Sequence, residues 1–75
     1  MLMVEYEVIQ EVYNNISAYI DATDSFGKFG DVIDAISKAD EVEENTKEEK
    51  NYTKEVKIIV VYEYKKTNKG VIENV

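Results

Sequence analysis

The run from Thr53 to Lys66, TKEVKIIVVYEYKK, is the only long apolar stretch of the chain, and its residue types leave one backbone choice. Ile58, Ile59, Val60 and Val61 are consecutive β-branched residues, followed by Tyr62 and Tyr64. Such side chains lose χ1 freedom in a helix and pack well on a pleated surface. The run reads as a strand, and its apolar content reads as that of the central strand. With side chains alternating, Val56, Ile58, Val60, Tyr62 and Tyr64 line one face, while Lys57, Ile59, Val61, Glu63 and Lys65 line the other. The first face is apolar throughout and the second only in its middle, so a further layer is expected over Ile59 and Val61.

Working upstream, Glu43 to Asn51 (EENTKEEKN) holds no apolar residue and reads as a solvated helix extension or a mobile linker. Before it, Phe29, Val32, Ile33, Ile36 and Ala39 form one face of a helix that starts at Asp31. Asp31 can cap the first turn, and Asp34 favours the positive end of the helix dipole. The far end is less orthodox, because Asp40, Glu41, Glu43 and Glu44 crowd the negative end. Asp24 to Gly30 (DSFGKFG) reads as a loop, with Phe26 and Phe29 folding back on the core.

The first 23 residues fit two patterns. Leu2, Tyr6, Ile9, Tyr13, Ile16 and Ile20 follow helical spacing, yet the even positions also alternate with Glu5, Glu7, Glu11 and Asp21. Valine, isoleucine and tyrosine dominate and Asn14-Asn15 supplies a turn, which decides for a hairpin. Sharing the even face makes Val12 oppose Ile16 across a loop of Tyr13, Asn14 and Asn15, with Asn15 left-handed. That register pairs Val8 with Ile20 and Tyr6 with Ala22, and leaves Ile9, Tyr13 and Tyr19 on the opposite face. Beyond Lys66, Thr67-Asn68-Lys69-Gly70 reads as a turn, and the last five residues offer a short edge strand. The expectation is one α+β domain over residues 1–75: a small antiparallel sheet of hairpin, long strand and short last strand, with one helix on one face.

The 75 residues carry 16 acidic and 9 basic side chains, a net charge of −7, and every basic residue is lysine. Without arginine, the residue that makes the commonest base contacts, direct nucleic-acid reading is not expected. Cysteine and histidine are both absent, so disulfides are excluded and zinc loses its usual ligands. Ser17, Ser25 and Ser37 have no evident base beside them, which removes the ordinary parts of nucleophilic catalysis. The spacing from Asp21 fails as a calcium loop, and Gly27-Lys28-Phe29-Gly30 is too short for a phosphate loop. Neither an enzyme, a cofactor nor a metal is expected. The opening MLMVEYEV lacks a basic segment and a cleavage site, and no apolar run approaches the roughly 18 residues of a membrane span. A cytoplasmic protein is the expectation.

Two surfaces stand out as candidates. Tyrosine buries a large ring while keeping a wet hydroxyl, which suits interfaces. Ile9, Tyr13, Tyr19, Ile59 and Val61 are expected to form the contact of a homodimer, by packing of these sheet faces or by pairing of strands, which would also help a core this small. The second surface is acidic: Asp31, Asp34, Asp40, Glu41, Glu43, Glu44, Glu48 and Glu49 are expected to meet a basic partner. Acids kept at the wrong helix end imply a demand other than stability.

In size, in lacking cysteine, and in the acidic run through Asp40, Glu41, Glu43, Glu44, Glu48 and Glu49, the chain resembles small acidic DNA-mimic inhibitors of bacteriophages. That class includes host-takeover proteins directed at the nucleoid protein HU. The lysine-rich end departs from the uniformly acidic type. The resemblance implies a dimer that blocks a basic DNA-binding protein competitively, without chemistry of its own. The other reading of the residues is a small structural or assembly homodimer whose acidity serves solubility.

Overall fold

The computed structural model describes residues 2–64, and four elements follow one another in the order β-β-α-β. β1 (Leu2–Asn14) and β2 (Tyr19–Phe29) form a hairpin, α1 (Val32–Glu44) follows, and β3 (Tyr52–Tyr64) returns. Both outer strands pair antiparallel with β1, giving the order β2-β1-β3. β2 and β3 therefore run parallel to each other, and α1 is the crossover that parallel strands require. This is the small α+β fold expected, one helix on an antiparallel sheet. The short strand expected at the C-terminus lies outside the described residues.

β1, and not β3, is the central strand. The hairpin occupies one edge of β1, so the returning strand takes the other edge, and among the described residues nothing pairs with its far side. Val8, Ile9 and Gln10 in mid-β1 are buried, whereas no residue of β3 is.

The hairpin register also differs from the expected one. Asn14 Oδ1 accepts from the backbone N–H of Ile16 and of Ser17, and Ala18 N–H donates to the Asn14 carbonyl at 2.8 Å. An asparagine that binds its own downstream backbone starts the turn after itself. The loop is thus Asn15 to Ala18, and Val12 pairs with Ala22, Tyr13 with Ile20 and Tyr6 with Phe29. Ala18, not Asn15, takes the left-handed conformation, at φ 64°. An alanine there carries a steric cost that glycine lacks. Ala18→Gly is accordingly expected to stabilise the fold by about 0.5–1 kcal/mol; a urea midpoint that stays put or falls would count against this loop geometry.

DSFGKFG is strand rather than loop. β2 runs through Phe29 because two bulges absorb its irregular residues: Asp21 is extra opposite Val12-Tyr13, and Phe26 and Gly27 together face Val8. Asn14 Nδ2 donates to the Asp21 carboxylate at 3.0 Å, and Gly27 has φ 116°, a conformation side chains rarely adopt. Bulges and charges of this kind are tolerated on an edge strand, where they deter stray pairing.

Cross-strand partners share a face. Val8, Gln10, Val12, Lys54, Val56 and Ile58 lie on the side of α1; Glu7, Ile9, Glu11, Glu55, Lys57 and Ile59 lie on the open side. The helix buries Ala35 and Val42, with Lys38, Ala39 and Thr46 half-buried beside them. Small residues let the helix approach closely. The expected helix face is therefore rotated: Ile33 is 67 % exposed, and Val32 and Ile36 are exposed too. Gln10 Nε2 donates to Thr46 Oγ1 and Thr46 Oγ1 to the Val42 carbonyl, each at 2.7 Å, tying the helix end to the central strand. Asp31 caps the other end as expected, its carboxylate accepting from Ile33 N–H at 2.8 Å.

Candidate functional site

Lengths decide which surfaces stay bare. Thirteen helical residues span about 20 Å and thirteen strand residues about 44 Å. α1 starts near the Tyr6–Phe29 rung and ends near Gln10, so it covers less than half of the sheet's length. β2 ends at the same rung. Beyond it β1 and β3 continue as a two-stranded ribbon, pairing Val4 with Tyr62 and Leu2 with Tyr64. On the ribbon's helix side Leu2 is 58 % exposed, Val60 59 %, and Tyr62 and Tyr64 both 69 %. Sequence reasoning placed Val60, Tyr62 and Tyr64 on the wholly apolar face of a central strand, which implies cover. The signal that they are not was available in the numbers: a run this long outreaches the one helix that could cover it.

The open face behaves differently. Ile9 sits between Ser25 and Lys57 and is nearly buried without a second layer. Its cover is polar: Ser25 Oγ donates to the Glu7 carboxylate at 2.6 Å, and Lys57 Nζ lies 2.8 Å from Glu11 and 3.7 Å from Glu55. Long charged stems shield the apolar centre while their heads stay wet. The Glu11 carboxylate, hydrogen-bonded to the Lys57 ammonium and reinforced by Glu55, raises that lysine above its usual range. A raised lysine helps stability at neutral pH, and that help is lost only as pH climbs through the alkaline range.

Of the expected dimer residues, Ile9, Tyr13, Ile59 and Val61 share this open face. Tyr19 does not. It pairs with Asn14, whose position puts it on the helix side, and Ile20 takes its place beside Tyr13. Ile59 and Tyr13 are exposed and Val61 half-buried.

The acidic candidates separate into roles. Asp31 is the cap already described, and Asp34 sits in the first turn at the positive end of the dipole. Six acids fall within residues 40–49, all exposed: Asp40, Glu41, Glu43, Glu44, Glu48 and Glu49. Glu41 lies 3.4 Å from Lys38 and Glu49 2.6 Å from Lys54. The other four have no ion pair among the described residues. Asp40 and Glu44 turn away from the sheet one above the other, an unfavourable like-charge pair at four-residue spacing. No basic residue occupies the last turn of α1. Taken together, the described residues hold fifteen acids and six lysines, a formal charge of −9, so the molecule's field is negative at this end and overall.

A shallow cleft between Thr46 and Lys54 sets Lys47, Glu48, Glu49 and Lys50 around Asn15, whose N–H donates to the Asn51 carbonyl at 2.8 Å. Among the described residues no three acidic side chains converge as metal ligands would, and no helix is long and apolar enough to cross a membrane. Compared with known proteins, the chain matches no family model, no curated protein and no solved structure.

Proposed function

We propose that the chain is a non-enzymatic binding protein that imitates DNA phosphates and blocks a basic DNA-binding protein, acting in the cytoplasm of a bacterial cell. A nucleoid protein of the HU kind is the partner that the likeness to bacteriophage DNA mimics implies. The observation that carries this reading is the acidic end of α1: exposed carboxylates crowd the negative pole of a helix, with no cation in its last turn. Each such charge costs about 0.3–1 kcal/mol, and an arrangement kept against its own stability is accounted for by a basic surface that it meets. Opposite fields speed the encounter, and occupation of the groove excludes the duplex.

The test changes Glu41, Glu43 and Glu44 together to glutamine. Affinity for purified HU-type protein is expected to fall at least tenfold, with the salt dependence of binding reduced and duplex DNA competing against the unchanged chain. The melting temperature should hold or rise, since Lys38 alone loses a partner. Binding that survives the change moves the contact off the helix end. Failure to bind any basic DNA-binding protein sinks the reading.

The apolar ribbon favours a second reading, a small assembly protein whose acidity keeps it soluble. Under that reading the triple change leaves all partner binding intact.

A further inference from the structure

We propose that the free edge of β3 is a docking surface for a second copy of this chain, joined across a two-fold axis at Val60 into one six-stranded sheet. The proposal stands apart from the acidic reading and survives its failure.

Among the described residues β3 has a partner on one side only, and from Ile58 to Tyr62 the edge facing away from β1 carries no charge. A long, flat, apolar edge is a template for pairing. Elsewhere the same molecule protects its edges: β2 bears two bulges, and the ends of β3 bear Lys54, Glu55, Lys57 and Glu63. The unprotected segment is thus confined to five residues flanked by charges, which is what an edge reserved for one partner needs.

Symmetry and charge then choose the register. A two-fold axis relating antiparallel edges runs perpendicular to the sheet and keeps each face on its own side, so helix-side residues pair with helix-side residues. Centring on Val60 sets Ile58 opposite the partner's Tyr62, Ile59 opposite the partner's Val61, and Lys57 opposite the partner's Glu63, each occurring twice. Glu63 has no ion pair among the described residues of its own chain. Centring on Ile59 would set Glu55 against the partner's Glu63, like charges face to face, and centring on Val61 would leave Glu63 facing the partner's Ile59. Opposite charges directly across antiparallel strands stabilise and like charges destabilise, so Val60 is the favoured centre.

Burial follows from the same register. Tyr62 and Tyr64, bare in the single chain, come beside the partner's Ile58 and Val56, the half-buried part of β3 on the helix side. With tyrosines burying roughly 150–250 Å² each, these two rings and Val60 offer on the order of 300–400 Å² per copy. Counted for both copies this is about 600–800 Å² when wholly covered, to which the paired edges and Ile59 add, the size of a small, concentration-dependent interface below the roughly 1,200 Å² of standard ones.

The experiment is analytical ultracentrifugation of the full chain over a concentration series, beside four relatives of it. The parent is expected to reach twice its 8.6 kDa mass. Val60→Lys, at a position 59 % exposed and so expected to leave the single chain's circular dichroism intact, should hold it monomeric. Glu63→Lys and Lys57→Glu should each weaken self-association at least tenfold. Mixed in equal amounts, these two should form heterodimers, because each then supplies the charge that the other lacks; a merely structural role for either residue would not produce that rescue. A parent that is monomeric at every concentration, or dimers indifferent to all three changes, would overturn the proposal. So would a full chain that dimerises only after residues 65–75 are deleted, since its own tail would then occupy the edge.

Discussion

Val8→Asp is expected to leave the chain unfolded under conditions where the parent is folded. Among the described residues Val8 is the one large side chain with no exposed surface, in the middle of the central strand. It pairs with Ile58 on one side, faces Phe26 and Gly27 together on the other, and lies on the side that α1 covers. The lysines on that side, Lys38 and Lys54, are already engaged by Glu41 and Glu49, and Lys57 is on the opposite face, held by Glu11 and Glu55. An aspartate at position 8 would either bury an uncompensated charge or take up a proton at neutral pH, and both cost several kcal/mol. Against this, a chain of 75 residues has on the order of 4–11 kcal/mol in total, and one with so few buried side chains belongs at the lower end. Far-UV circular dichroism and one-dimensional NMR decide the matter. A cooperative transition within about 1 kcal/mol of the parent would show that the core lies elsewhere. Val8→Ala, which removes two methyl groups and adds no charge, is expected to lose only about 1–2 kcal/mol.

The four elements and their types were legible in residue chemistry: the β-branched run of β3, the alternation of β1, and the Asp31 cap of α1. Strand order was not, because it depends on which edge of β1 the hairpin leaves free, and the apolar content of Ile58 to Val61 suggested burial that the single chain does not provide. The faces were legible only as far as the loop. Moving the turn from Tyr13–Asn15 to Asn15–Ala18 carried Tyr19 to the other side, since strand side chains change face with each residue. DSFGKFG has the composition of a turn, and only an edge strand, half solvated and bulged, admits such residues. At the candidate site, the acids of residues 40–49 were legible because their clustering is linear. The complementarity of Lys57 and Glu63 was hidden, because these residues do not meet within one chain.

Ala35→Leu is expected to cost about 3 kcal/mol, and it tests the helix orientation on which the bare ribbon depends. Ala35 has no exposed surface and Val42, two turns later, very little, so the contact between α1 and the sheet is made through a short side chain. Three added carbons have no space, and overpacking of this kind costs about 1–3 kcal/mol. Lifting the helix would also stretch the 2.7 Å bond from Gln10 to Thr46, leaving a buried amide poorly satisfied at a further cost of about 1–3 kcal/mol. The paired control is Ile33→Ala, at a position 67 % exposed, which should change stability by less than about 0.5 kcal/mol. Urea unfolding of both variants separates two orientations of the same helix. Were Ile33→Ala costly and Ala35→Leu neutral, α1 would rest on Val32, Ile33 and Ile36, as their spacing suggests. The reverse result places alanines against the sheet, and with them the short reach of α1 that leaves Val60, Tyr62 and Tyr64 uncovered.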